Sequence, residues 1–419
     1  MYRPTAGVTT KHLASGVDSH FNPTTKTTVN TGAGGHIMSV ERPGLRATNF
    51  REDGRAGHIE RTRPDGSKMV VNRGLHGERR VEVVRPNGVR VVTVGRQAFV
   101  ERPLRAGYVS RTYVVGGRTE VRVYRTYGYR GVRYVTYVPR VYYQPAFYRW
   151  AGRPWGPSVV YGWGWAPATP WFYGAYFAPE PVYSTPSLWL TDFLLAANLR
   201  LAYDNQQQQY QDQQQQESSA DASQGVAATL TPEIKLQIAG EVKQQLDAQQ
   251  TAAAQPSAAA LPQGTATDVP PPALKQRVFV VSTSFDVTGT DGSQSCALTA
   301  GDIIERTPGQ SVTSDGKVAV NVMSSKAGDC QADFATQIDV ATLQDMQNQF
   351  NAQIASGIES LASNQGKGSL PSGPAANPRR NAAGEASPDA SNDAELVTKL
   401  NQEADQTEAD MRNATNGGQ

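Results

Sequence analysis

The chain has 419 residues, 39 of them Gly and 26 Pro, and a mean hydropathy of −0.49, so much of it is expected to lie outside a large apolar core. Its net charge of +2 hides a split, because residues 1–155 carry 27 Lys+Arg against 10 Asp+Glu while residues 156–419 carry 13 against 28. No run of 18 apolar residues occurs, which excludes an ordinary transmembrane helix.

The split predicts an anionic partner for the first part, or attraction between the two parts. Arginine supplies 24 of the 27 cations in residues 1–155, which favours bidentate and stacking contacts. Residues 1–35 are Thr/Asn/Gly-rich and read as a flexible arm. The opening Met1-Tyr2-Arg3-Pro4 lacks an apolar core segment, so no signal peptide is visible, and export would require a start upstream of Met1.

From about His36 a hairpin repeat begins. Arg63-Pro64-Asp65-Gly66 and Arg85-Pro86-Asn87-Gly88 are turns 22 residues apart, each flanked by alternating residues such as Val81, Val83, Val89 and Val91. Further hairpins follow around Gly116-Gly117 and Gly131. A lone hairpin is marginal in water, so the spacing predicts one extended antiparallel sheet over residues 36–143.

Residues 108–203 hold all six Trp and 25 of the 34 aromatic residues. Residues 144–203 read as a Pro/Gly aromatic wrap ending in an apolar helix, Leu188–Tyr203, with Ser187 as N-cap and the sheet as the surface it packs on. Asp192 and Arg200, two turns apart, read as polar anchors at that helix's solvated edge. Residues 204–274 are a Gln/Ala/Pro linker with one short helix opened by Thr231-Pro232-Glu233, its stripe being Ile234, Ile238, Val242 and Leu246.

Residues 275–362 predict short strands around Val278, Cys296, Ile303 and Val318, then a helix striped by Leu343, Met346, Phe350, Ile354, Ile358 and Leu361, with Thr342 and Asp345 at capping-box spacing. Residues 363–419 read as a disordered tail whose Glu395–Asn413 stretch is at most a frayed, charged helix. The fold class is thus mainly β with a few helices.

Leu298-x-x-Gly301-Asp302-Ile303 between short strands resembles the diverging turn of bacterial SH3-like β-barrels. The resemblance implies a small barrel with a peptide or cell-wall ligand. The Arg-Pro-Asp/Asn-Gly hairpins resemble YD/RHS-type repeats, without their Tyr-Asp signature. The whole order resembles a group of uncharacterised bacterial cell-envelope proteins. It runs from basic hairpins through a Trp/Tyr/Pro segment and Leu188-Trp189-Leu190-Thr191-Asp192-Phe193 to the SH3-like end. The group implies export and carries no known activity.

Cys296 and Cys330 are expected to form a disulfide, which implies an oxidising compartment, periplasmic, envelope-associated or secreted. The five histidines make no metal pattern, and no nucleophile elbow, P-loop or dinucleotide motif occurs, so no cofactor and no enzyme activity are expected. Arg111, Arg118, Arg122, Arg125, Arg130 and Arg133, interleaved with Tyr124 and Tyr134, are the candidate site. On one sheet face they would hold an anionic polymer, an envelope polysaccharide or cell-wall polymer, through charge and cation–π contacts. Nucleic acid is the alternative ligand, an unrecognised enzyme site a second alternative, and a plain solvated sheet face the third. Oligomeric state is not legible.

Overall fold

The computed structural model describes the chain except residues 1, 3, 5–6, 52–53, 75–78, 96, 105–106, 116–117, 157, 161–175, 215–229, 255–267, 293, 382–391 and 416–419, and excluding the side chains of 115, 118 and 204–214. The described chain divides into two compact units. One comprises Met1–Pro103, Ser110–Val121 and Pro388–Gln419; the other comprises Leu104–Val109 and Arg122–Ser387.

The predicted sheet exists and begins earlier than His36. Its strands are Thr9–His12 (β1), Asp18–Asn22 (β2), Thr27–Thr31 (β3), Ile37–Arg42 (β4), Leu45–Phe50 (β5), Ala56–Thr62 (β6) and Lys68–Arg73 (β7). Then come Arg79–Val84 (β8), Arg90–Val94 (β9), Gln97–Pro103 (β10), Tyr108–Val115 (β11), Arg118–Tyr129 (β12) and Val132–Val138 (β13). All thirteen follow chain order in one meander. The flexible-arm expectation for residues 1–35 is corrected by β1 to β3. There the alternation is carried by Thr27, Val29 and Thr31 rather than by strong hydrophobes, and His20 bonds Thr31 Oγ1 at 3.1 Å.

The Pro-Asx-Gly turns form where the spacing placed them. Gly66 N–H donates to Arg63 O and Arg63 N–H to Ser67 O, and the turn at Arg85–Val89 repeats this. Pro fixes φ at a negative value, so each turn is a tight bend closed by a left-handed Gly, with φ 81° at Gly66 and 79° at Gly88. Arg51–Arg55 and Leu13–Val17 close through the same bonds without Pro. In the first unit, Val29, Val40, Ala47, Ile59, Met69, Val71, Val81, Val83, Val91 and Val100 alternate onto one face and are almost fully buried.

In the second unit the aromatic segment supplies Val141–Tyr142 (β14) and the helix Pro145–Ala151 (α1). Pro186–Gln214 (α2) and Pro232–Ala254 (α3) follow. The cap of α2 is Thr185, whose Oγ1 accepts the Leu188 N–H at 3.2 Å, two residues before the expected Ser187. Thr231 caps α3, whose expected stripe is buried at Ile238, Val242 and Leu246. The β domain holds Val278–Val280 (β15), Phe285–Thr288 (β16), Ser295–Leu298 (β17), Ile303–Arg306 (β18), Lys317–Ser324 (β19) and Ala335–Asp339 (β20). It forms a four-stranded sheet, β15-β18-β19-β20, beside the β16–β17 hairpin.

Val340–Asn364 (α4) buries its entire predicted stripe. It starts at Val340 with no side-chain cap, so the Thr342/Asp345 spacing was not the start signal. Arg379–Arg380 (β21) pairs with β14, and Asp393–Thr415 (α5) lies in the first unit. The apolar helix α2 packs on α3 and α4 rather than on the hairpin sheet. Trp189, Leu190, Leu194 and Leu195 join Ile238, Val242, Phe350 and Ile354 in one core with Phe147, Tyr148, Trp155 and Tyr183. A β-carbon at Gly357 of α4 would collide with Leu190 and Phe193, so this glycine, unfavourable inside a helix, sets the close approach of α2. Trp163, Trp165 and Trp171 lie outside the described residues.

Candidate functional site

The eight expected Arg/Tyr positions do not share one face. Residues two apart along a strand share a face, so Arg122 and Tyr124 lie opposite Arg125 on β12. Tyr124 is fully buried, edge-on to Tyr137 with ring centroids 6.0 Å apart. Tyr134 is buried in the core of the β domain beside Tyr127, 5.8 Å between centroids. Arg111 is buried, its Nε 2.7 Å from Glu101 and its guanidinium 4.7 Å over Phe99. Arg122 donates to Gln349 at 2.5 Å. The Arg118 side chain lies outside the described residues. Arg125 is half-buried over Tyr108.

Arg130 and Arg133 are exposed. Arg130 occupies a two-residue turn with Gly131, both at positive φ (48° and 76°), between the paired Tyr129 and Val132. Its guanidinium lies 5.4 Å over Tyr129 and donates to Val312 O at 3.3 Å. Burial therefore removes Arg111, Tyr124 and Tyr134 from any polymer-binding face, because alternation along a two-sided sheet sends its side chains into cores on both faces.

A different arginine cluster emerges in the first unit. Arg61, Arg63, Arg73, Arg79 and Arg102 have the same strand parity as the buried valines, so they border the apolar stripe of the sheet. Helix α5 lies on that stripe, with Leu400, Ala404 and Met411 buried in it. Glu403 takes Arg63 bidentately at 2.7 and 2.5 Å, and Glu408 takes Arg73 at 2.9 and 2.6 Å. Asp393 takes Arg102, Asp405 takes Arg79, and Thr407 Oγ1 accepts Arg61 at 2.8 Å. Paired forks of this type are the strong form of Arg–carboxylate contact. Asp393 also sits in the first turn of α5, where the helix dipole favours an anion. The disordered-tail expectation for 363–419 is corrected here: α5 is a docked helix, and only 382–391 and 416–419 lie outside the described residues. Its large apolar residues are few, so its sequence alone reads as solvated.

The outer face of the same sheet carries a second ladder. Glu82 on β8 takes Arg90 on β9 at 2.6 and 3.0 Å, and Glu101 on β10 takes Arg111 on β11. Burial would raise the Glu82 carboxyl, but the hydrogen bonds and charges of Arg90 and Arg80 outweigh it and hold it below its usual range.

Two buried ion clusters lie in the second unit. Lys326 bonds Asp302 and lies 3.2 Å from Asp329, with the Tyr176 ring 5.7 Å away. Asp302, fully buried, also accepts Thr299 N–H at 2.8 Å and Lys326 N–H at 3.1 Å, which ties the Leu298–Ile303 turn. Burial pushes its carboxyl up to about 7 despite the lysine. Lys235 on α3 reaches Ala178 O at 2.5 Å, Glu180 at 3.2 Å and Asp192 at 3.1 Å. Asp192 also accepts Tyr183 O–H at 3.0 Å, and burial holds its pKa above the ordinary value. Asp192 is therefore a core residue, not an anchor at a solvated edge, and Arg200 alone is exposed. The signal that could have found the pair was Lys235, the one cation on the apolar stripe side of α3.

Asn348 of α4 performs strand chemistry with a side chain. Its amide donates to Val135 O and accepts Tyr137 N–H, both at 2.8 Å, so it takes up two backbone groups on the outer edge of β13. Tyr127 O–H donates to Gln344 at 3.3 Å, and burial pushes that phenol up to about 12, so it stays a donor. The expected disulfide is present, Cys296 on β17 to Cys330, with Cα atoms 5.1 Å apart. Among the described residues no group of three His, Cys, Asp or Glu side chains is placed to hold a metal ion, and no helix is long and apolar enough to cross a membrane. Compared with known proteins, the chain matches no family model and no curated protein sequence.

Proposed function

We propose that this is a non-enzymatic binding and scaffold protein of the bacterial envelope or secreted space. The observation that carries the proposal is the use made of the ionisable side chains. Asp302 with Lys326, Asp192 with Lys235 and Glu101 with Arg111 are buried pairs holding elements together, whereas Arg130 and Arg133 stand exposed at the β12–β13 hairpin. Their exposed guanidiniums, with Tyr129 beneath Arg130, are the part of the Arg/Tyr pattern that we read as contacting an anionic surface polymer. The disulfide supports an oxidising compartment, in line with the resemblance to envelope proteins.

The β domain is read as SH3-like. The Gly289–Thr336 bridge and the disulfide join the β16–β17 hairpin to the four-stranded sheet, which supports a small barrel. A peptide or cell-wall ligand for it follows from the resemblance.

The polymer reading is tested by binding of the intact protein to an anionic polysaccharide, DNA and RNA at two salt concentrations, with Arg130→Ala/Arg133→Ala alongside. Salt-sensitive polysaccharide binding that weakens several-fold in the variant is expected. Binding of nucleic acid alone would transfer the site to the alternative reading, and binding of none would sink it. Fractionation of the source cell tests compartment: a cytoplasmic pool with free thiols at Cys296 and Cys330 would overturn export.

A further inference from the structure

The arginine-bordered stripe on the inner face of β6 to β10 has a specific chemistry. It combines buried Ile59, Met69, Val71, Val81, Val83 and Val91 with a rim that forks onto carboxylates. Its occupant, α5, comes from about 300 positions later, with partners such as Arg102 and Asp393 separated by 291 residues and Arg61 and Thr407 by 346. Side chains hold it. Among the described residues its one backbone group bonded to the sheet is Asn401 O, which accepts Arg79 at 3.1 Å. Neither a strand ladder nor the disulfide ties it in place. The sheet thus recognises a surface pattern: Leu400, Ala404 and Met411 at spacings of four and seven, flanked by Glu403, Asp405 and Glu408.

Helices α3 and α4 lack this pattern. Their acids are Glu233, Glu241 and Asp247 in one and Asp345 and Glu359 in the other, and Glu241 is spent on the Arg277 and Val278 N–H groups. The chemistry that fits the face is that of α5, and every copy of the chain brings one.

We propose that this face is a receptor site for an acidic amphipathic helix, and that it accepts α5 of a second copy in exchange for its own. The reading is independent of polymer binding at Arg130. Tethering favours the chain's own helix at low concentration, and exchange between copies grows as protein concentration rises.

Two full-length variants test it. In one, R63E/R73E reverses the sheet rim; in the other, E403R/E408R reverses the helix. Alone, each repels its own helix and runs at the monomer mass of 45.2 kDa. Mixed, the reversed sheet meets the reversed helix and the two native surfaces meet each other, so a 1:1 species of twice that mass is expected by light scattering. A mixture that remains monomeric overturns exchange. A labelled peptide of residues 392–416 with the native sequence provides the second measurement. It is expected to bind the E403R/E408R chain at least about tenfold more tightly than the unaltered chain, whose tethered helix competes. Equal binding to both, or to neither, overturns the receptor site.

Discussion

The two units solve one problem with charges placed differently. In the first, a valine stripe is covered by α5 and the pairs that dock this helix form a partly solvated rim, with Arg63 and Glu403 15% and 33% exposed, while Glu101–Arg111 is buried on the opposite face. In the second, the ion pairs sit inside the core: Lys326 and Asp302 are 8% and 0% exposed. The rim charges select which helix docks and in what register, while apolar contact supplies most of the stability. The buried charges have no water to fall back on, so each depends on its partner.

The largest expected effect breaks a buried pair. At pH 8, Lys326→Met leaves Asp302 and Asp329 without their cation and is expected to cost about 3–5 kcal/mol in denaturant unfolding of the second unit. The matching rim change, Arg63→Met, is expected to cost at most about 1 kcal/mol, because its partner stays partly hydrated. Equal losses would erase the distinction between rim and core. Next, Cys296→Ser/Cys330→Ser opens a loop with a sequence separation of 34 and is expected to cost about 3–4 kcal/mol, again in the second unit. Leu400→Ala is expected to cost about 2–4 kcal/mol through the cavity it leaves against the stripe, read as lost amide protection in β6 to β10 while β15 to β20 stay protected. Asn348→Ala strips both bonds from the β13 edge, with an expected loss of about 1–3 kcal/mol.

A further effect is read by its sign rather than its size. Asp302 keeps its proton in the folded state up to about 7, whereas the unfolded chain releases it near 3.8. The folded state then holds more protons, so its contribution is fully present below pH 4 and is lost as pH rises toward 7. Glu82 is shifted the other way, so its contribution is present at neutral pH and is lost on acidification below its ordinary value. Unfolding followed separately in the two units at pH 5 and pH 8 checks this. Asp302→Asn should abolish the alkaline loss in the second unit alone, and a residual slope of the same size would assign it to another group.

The hairpins were legible because Pro64-Asp65-Gly66 and Pro86-Asn87-Gly88 carry their geometry locally, and the disulfide because only two cysteines exist. The α4 stripe was legible through its apolar spacing. The candidate face was not. Arg61, Arg63 and Arg73 read as surface residues until α5 is placed on them, and α5 reads as solvated until the valines are placed under it. Each half of that pairing is weak on its own, and the two lie about 300 residues apart. Tyr124 and Tyr134 misled for the opposite reason: strand alternation assigns a residue to one face or the other without saying that both faces will be covered.

The Asn348 amide has one more consequence. It takes up two backbone groups on the outer edge of β13, whereas β1, exposed along its length, pairs among the described residues only with β2. An arriving strand therefore meets fewer unengaged backbone groups along β13 than it would without that amide.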